Sequence, residues 1–429
     1  MSQPTRILLA LVTGLALGLL SARTGGAWVG TAITIAEPIG GLWLNGLQMT
    51  IIPLIVSLLI TGIAASMEAA RASRLATRAI ILFLVLLWFS SAFAAVAIPF
   101  LFEIFPMPVD AAAALRSALS TSEPVGEVPG FGDFLRSIIP SNPIAAAAND
   151  AILPLIIFTA VFAFALTRLP AEPREQLTRF FRALSDVMLV MIGWMLWLAP
   201  IGVLALAYVV GARAGTAAFG ALLHYVVVIS AVGIVLWGLA VPFGAIGGRV
   251  SFRRFVRAIG PSQAVAISTQ SSLASLPAML RGTESLGVPV AASGVVLPLA
   301  VAIFRWTGPA MNFGVALYIA HWYGMELGPA QIFAGIAAGA TTTLGAVSLP
   351  GQVSFITSIA PICMVMGVPI EALALLIAVE TIPDIFRTLG NVTMDVAATV
   401  MVTRRTGFME SEAVTAEDRL LSGEAAPHT

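Results

Sequence analysis

The chain contains one cysteine, three histidines and no lysine, and only 10% of its 429 residues are charged. A lone cysteine, Cys363, cannot form an internal disulfide, so no disulfide scaffold is available. The histidines, His224, His321 and His428, lie far apart in sequence and give no metal-ligand cluster. All 22 basic side chains are arginine and 22 acidic ones balance them, which excludes a basic nucleic-acid-binding face. Soluble domains carry about 25% charged residues and about 45–50% apolar ones. Here 59% are hydrophobic and the mean hydropathy is +0.97. A soluble protein of this length could not hide that much apolar surface, and a disordered chain would not contain it.

Apolar runs long enough to cross about 30 Å of hydrocarbon recur near residues 7–31, 38–68, 77–105, 150–167, 184–211, 217–247, 293–325 and 370–403. Arginine in the short loops sets their orientation. Arg71, Arg74 and Arg78 mark one side; Arg168, Arg174, Arg179 and Arg182 return to it, then Arg249, Arg253, Arg254 and Arg257, and finally Arg404 and Arg405. The opposite loops dilute their arginines with Asp110, Glu123, Glu127, Asp133 and Asp150. The pattern predicts eight spans in the cell inner membrane with both termini cytoplasmic. Ser21-Ala22 resembles a weak signal-cleavage site, but an even span count needs the first helix retained. The tail from Gly407 to Thr429 reads as a disordered cytoplasmic end.

Two hydroxyl-rich segments interrupt apolar surroundings. Residues 268–277 read Ser-Thr-Gln-Ser-Ser-Leu-Ala-Ser-Leu-Pro, and residues 341–351 read Thr-Thr-Thr-Leu-Gly-Ala-Val-Ser-Leu-Pro-Gly. Irregular backbone facing lipid costs several kcal/mol for each unsatisfied group, so such segments persist only inside protein or along a wet cavity. The repeated Ser-Leu-Pro predicts two re-entrant helical hairpins with tips at Ser271–Pro277 and Gly345–Gly351, rather than kinks in ordinary spans. A hairpin followed by a long span, occurring twice, is the internal repeat of secondary transporters, and half-helix N-termini at such tips face anionic substrates.

The last span carries Glu380, Asp384, Arg387, Thr388, Asn391 and Asp395 on one stripe roughly 100° wide. Each charge at the bilayer centre costs about 2.5–3.5 kcal/mol on insertion scales, so a substrate or ion path is the default reading. The alternative is an Asp384–Arg387 bridge along the helix, which leaves Asn391 and Asp395 unexplained. Arg387 suits a carboxylate, Asp384 an ammonium group, and Asp395 with Asn391 a small hard cation such as sodium. No phosphate-binding loop appears, so the energy should come from an ion gradient. No nucleophile–histidine or metal set suggests an enzyme. A further charge, Arg305, is flanked by apolar runs and needs a carboxylate, with Asp395 the candidate, or a water-filled vestibule.

These residues resemble the dicarboxylate/amino acid:cation symporters, which include the glutamate transporter homologues, over nearly the whole chain. Asp384-Ile-Phe-Arg387-Thr388-Leu-Gly-Asn391-Val-Thr-Met-Asp395 is similar to that family's substrate and sodium helix. Gln270-Ser-Ser-Leu-Ala-Ser-Leu-Pro277 resembles its first hairpin tip and Gly345-Ala-Val-Ser-Leu-Pro-Gly351 its second. Ile138-Ile-Pro-Ser-Asn-Pro143, Ser90-Ser-Ala-Phe93 and Ala199-Pro-Ile-Gly202 match as well. The resemblance implies an all-α membrane protein of eight spans and two re-entrant hairpins, built on inverted repeats and working as a homotrimeric elevator. It implies scaffold at 1–72 and 133–212, a transport domain at 73–132 and 213–405, and a tail at 406–429. By position Asp384 would hold a substrate amino group and Arg387 a side-chain carboxylate. Thr388, Asn391, Ser271, Ser272 and the second tip at Leu349, Pro350 and Gly351 would complete the site. Dicarboxylate carriers of the family usually lack the acid matching Asp384, which favours aspartate or glutamate as substrate.

One departure concerns the coupling ion. The family's seventh span carries Asn-Met-Asp-Gly-Thr, two of whose residues help bind sodium. One register places Phe304, Arg305, Trp306, Thr307 and Gly308 there, and a shifted one Met311, Asn312, Phe313, Gly314 and Val315. Either way the aspartate is aromatic, while Ser90 and Ser91 keep their hydroxyls. Arg305 is therefore expected to supply a tethered positive charge in place of a sodium ion, paired with Asp395, so that fewer sodium ions couple. The expectation is cation-coupled symport of an acidic amino acid, with sodium or a proton as coupling ion and no cofactor. The competing readings are proton-coupled transport of a C4-dicarboxylate or another amino acid, and a channel or sensor that binds without cycling.

Overall fold

Backbone in hydrocarbon must satisfy its N–H and C=O groups within its own segment, so long apolar runs become helices. The computed structural model describes residues 3–24, 26, 28–72, 74–107, 139–149, 151–215, 217–345 and 352–405, and has no β-strand among them. Its helices are α1 (Gln3–Thr24), α2 (Trp28–Gln48), α3 (Ile51–Ala72), α4 (Arg74–Ile104), α5 (Pro143–Ala148), α6 (Ile152–Leu166), α7 (Ala171–Ala214) and α8 (Ala217–Gly247). They continue as α9 (Phe252–Thr269), α10 (Leu276–Ser285), α11 (Val290–Ile303), α12 (Gly308–Tyr323), α13 (Pro329–Gly345), α14 (Gln352–Met366), α15 (Leu373–Leu376) and α16 (Thr381–Arg405). Among the described residues six segments are long and apolar enough to cross a membrane, so the chain is a multi-pass membrane protein. Residues 108–138, the expected second tip with Leu349, Pro350 and Gly351, and the tail after Arg405 lie outside the described residues.

Several expected spans are divided. The run expected at 38–68 belongs to two helices, α2 and α3, which meet at Met49–Thr50. The run at 293–325 is broken between α11 and α12 by the non-helical residues Phe304 to Thr307. Pro309 in the first turn of α12 explains why a new helix starts there: its ring tolerates that position and could not continue the previous helix. The same device starts α10, with Pro277 in its first turn. The last run is α15 followed by α16, whose buried charges keep it from reading as an apolar span by composition.

The helices pack in two sets. In one, α7 lies against α1, α2 and α3, with α6 on α3. The axes of α1 and α7 approach closely because glycine faces backbone: a Cβ on Gly18 would strike the Tyr208 carbonyl oxygen, and one on Gly211 that of Leu15. In the other set, α16 is wrapped by α8, α9, α10, α11 and α4, while α12 packs on α4, α13 and α14. The residues of α16 from Asp384 to Thr403 are almost all buried, so its apolar face is enclosed as fully as its polar stripe.

Two helix pairs join across short connections. α9 packs on α10, and α13 on α14. The tip of the first pair holds Gln270 with φ 51°, a left-handed conformation that costs a non-glycine residue about 1 kcal/mol. The second pair reaches the other helix set, α13 against α3 and α14 against α3, α6 and α7.

Candidate functional site

The polar stripe of α16 forms a chain of interactions at its N-terminal half. Arg387 Nη1 lies 2.9 Å from Asp384 Oδ1 as a hydrogen bond and 2.5 Å from Glu380 Oε1 as an ion pair. The hydroxyl of Tyr225, from α8, donates to the other Glu380 oxygen at 2.6 Å. All four residues are buried. The alternative of a bridge along the helix is thus present, but it uses only one nitrogen of the guanidinium. Nε and Nη2 of Arg387 are buried and make no hydrogen bond among the described residues. Two donors on one edge of a guanidinium match the two oxygens of a carboxylate.

The unwound residues between α11 and α12 dock directly on this helix. Thr307 donates its backbone N–H and its hydroxyl to Asn391 Oδ1, at 2.9 and 2.8 Å, and the hydroxyl also reaches the Arg387 carbonyl at 2.8 Å. Gly390 makes the approach possible, since a Cβ there would strike the Thr307 methyl. Thr388 Oγ1 bonds to the Asp384 carbonyl at 3.0 Å, within the helix. The first hairpin is tied to the same region: Gln270 Nε2 donates to the Thr381 carbonyl at 3.0 Å, and Gln263 Nε2 to Thr393 Oγ1 at 3.0 Å. Ser271 and Ser272 sit half-buried at that tip, where Ser271 Oγ accepts from the Ala274 N–H at 3.2 Å.

Three of the expected cation ligands, Asn391, Ser90 and Ser91, make hydrogen bonds within the protein. The Asn391 amide oxygen accepts both the backbone N–H and the hydroxyl of Thr307. Ser90 Oγ donates to the Trp306 carbonyl at 2.5 Å and Ser91 Oγ to the Ile336 carbonyl at 2.9 Å. The Trp306 ring is buried, stacks on Phe89 with centroids 6.1 Å apart, and bonds through Nε1 to the Leu236 carbonyl at 3.1 Å. The backbone of Trp306 therefore stands beside Ser90, with its indole packed on the neighbouring Phe89. The break in the helix falls on Phe304 to Thr307, whereas Met311, Asn312, Phe313, Gly314 and Val315 are regular buried helix within α12.

The pairing expected for Arg305 is corrected. Its guanidinium donates to Ser354 Oγ on α14 at 3.0 Å. Both carboxylate oxygens of Asp395 are buried and, among the described residues, make no hydrogen bond. Arg305 sits in the unwound segment between α11 and α12, and this turns its side chain toward α14 rather than along α16.

The sequence places Glu380 on the stripe without assigning it a role, and marks neither Tyr225 nor the Thr307 hydroxyl. Glu380 lies seven residues before Arg387, two turns along the same face, which is the available signal. Nothing local in sequence marks Tyr225, 155 residues away from its partner.

The amino-acid sequence matches the sodium:dicarboxylate symporter family over residues 4–405. It is 28% identical to the proton/glutamate-aspartate symporter of Escherichia coli (strain K12), covering 93% of this chain and 92% of that one. It is 30% identical to the neutral amino acid transporter B(0) of Oryctolagus cuniculus, over 90% of this chain and 77% of that one. It is 29% identical to a C4-dicarboxylate transport protein of Anaeromyxobacter sp. (strain K), over 94% and 90%. With nearly its whole length matched, this chain belongs to the sodium:dicarboxylate symporter family, a family of transporters and not of enzymes.

Proposed function

We propose that the protein is a secondary active transporter that carries an acidic amino acid, aspartate or glutamate, together with a cation. The observation that carries this reading is the Arg387 edge: two buried donors without partners among the described residues, beside Asp384 and Glu380. A substrate carboxylate on Nε and Nη2 would leave Asp384 for an ammonium group one helical turn away. A plain dicarboxylate has no group for that acid. The relatives named for glutamate-aspartate and for C4-dicarboxylate transport bracket this choice.

The coupling ion follows from the same site. With Ser90, Ser91 and the Asn391 oxygen engaged, Asp395 is left as the anionic group for a cation, either sodium or a proton. Arg305 supplies a fixed positive charge nearby, which supports coupling to fewer sodium ions or to protons alone.

The same proposal takes eight spans and two re-entrant hairpins, α9–α10 and α13–α14, in the inner membrane with both termini cytoplasmic. The set around α7 is the scaffold of a homotrimer and the set around α16 the moving part. The packing of the second hairpin on α3 supports one end of an elevator-like excursion. Uptake of labelled aspartate into proteoliposomes, with imposed sodium and proton gradients and succinate as competitor, tests the reading. Aspartate accumulation and counterflow are expected. Accumulation of succinate but not aspartate would replace the substrate, and binding without counterflow would replace transport by sensing.

A further inference from the structure

The two arms of the first hairpin enclose a groove of about 670 Å³ outside the site described above. One wall is Arg254, Arg257, Ala258, Pro261 and Val265 of α9, and the other includes Pro277, Ala278, Arg281, Gly282 and Ser285 of α10. Three arginines line it and no carboxylate does. Arg254, Arg257 and Arg281 are exposed, and Arg254 also fixes one end of the groove by donating to the Ser285 carbonyl at 2.6 Å. Like charges gathered around an apolar floor repel one another unless an anion lies among them.

The end of α16 stands at the mouth of this groove. Arg404 donates to the Leu286 carbonyl at 3.4 Å, one residue beyond the groove-lining Ser285. The 24 residues that follow Arg405 contain Glu410, Glu412, Glu417, Asp418 and Glu424 against a single base, Arg419. Five acids less one base leave a formal charge of −4 with His428 neutral. Glu410 is five residues past Arg405, a reach of at most about 17 Å for extended chain. Apolar pairs, Phe408-Met409 and Ala413-Val414, flank the first two acids. Tethering at such short range gives an effective concentration on the order of millimolar, so weak contacts suffice for occupancy.

We propose that the acidic segment after Arg405 docks in the arginine-lined groove of the first hairpin. Its carboxylates pair with Arg257 and Arg281 while its apolar residues lie on the alanine and proline floor. The docked segment ties both hairpin arms to the end of α16, so that hairpin and helix move as one body. This inference does not depend on which substrate is carried.

The test uses Ala278→Cys, a groove-floor position, in full-length protein whose buried Cys363 is replaced by alanine. Maleimide labelling is timed in phosphatidylcholine vesicles, and thermal unfolding confirms that each variant is folded. Labelling is expected to be at least fivefold faster when the chain stops at Arg405. The same acceleration is expected in the full chain with Arg257→Glu and Arg281→Glu, and in about 1 M salt, which screens the pairs. Adding Glu410→Arg, Glu412→Arg and Glu417→Arg to the double reversal should restore slow labelling. Equal rates with and without the segment would overturn the proposal. So would slow labelling that appears only with phosphatidylglycerol and ignores removal of the segment, because the occupant would then be a lipid headgroup.

Discussion

Thr307 places both its backbone N–H and its hydroxyl on the amide oxygen of Asn391, joining the break between α11 and α12 to the middle of α16. A helix interrupted in hydrocarbon must find new partners for its freed groups, and here a side-chain amide of the neighbouring helix provides them. The pairing also fixes which way that amide faces, with its oxygen toward Thr307.

Asn391→Ala would leave the buried Thr307 N–H without an acceptor. An orphaned buried donor costs about 1–3 kcal/mol, so a clear fall in the thermal midpoint of the purified protein is expected. Asn391→Asp, which keeps an acceptor at that position, should recover most of it. Equal loss in both variants would mean that the oxygen is not what Thr307 needs.

Removing Arg387 should separate affinity from folding. Arg387→Met leaves Glu380 and Asp384 buried without their counter-charge, a change that costs about 3–5 kcal/mol when a buried pair is broken. Arg387→Met with Glu380→Gln removes one charge of each sign and should regain part of that stability. Neither variant should bind aspartate measurably by calorimetry. Retained aspartate affinity in the double variant would remove Arg387 from the substrate site.

Tyr225→Phe deletes one hydrogen bond to Glu380 and nothing else of its shape. A hydrogen bond to a charged group contributes about 1.5–3 kcal/mol, so Glu380 should be freer to compete with substrate for Arg387. The expected result is an aspartate Kd raised about tenfold with little change in the coupling ion. An unchanged Kd would show that the Tyr225–Glu380 pair does not restrain Arg387.

Arg305→Gln tests the tethered charge. Uptake without sodium should fall at least tenfold, with binding at saturating sodium kept within a few-fold. Sodium-independent uptake at the wild-type rate in this variant would leave Arg305 as a packing residue on Ser354.

The contact between α1 and α7 offers a separate check. Gly18→Val puts side-chain atoms where the Tyr208 carbonyl stands. Overpacking of a close helix contact costs about 1–3 kcal/mol, so the thermal midpoint should drop while substrate Kd is unchanged in the folded fraction. A midpoint within error of wild type would show that α1 and α7 can separate freely.

Much of this protein is legible before folding is considered. Hydrocarbon demands long apolar helices, and composition alone therefore assigns a membrane chain; the run at 217–247 matches α8 residue for residue. The stripe on α16 and the two Ser-Leu-Pro interruptions are visible because polar groups are too costly in lipid to be there without purpose. Partners at long range were not legible. Tyr225 reaches Glu380 and Thr307 reaches Asn391 only once helices far apart in sequence are packed side by side. Arg305 was assigned to Asp395 by charge, but the unwound backbone turns it to Ser354, because direction in a break is set by packing and not by helical periodicity. Sequence thus determined which residues must leave the lipid, and the tertiary structure decided which of them meet.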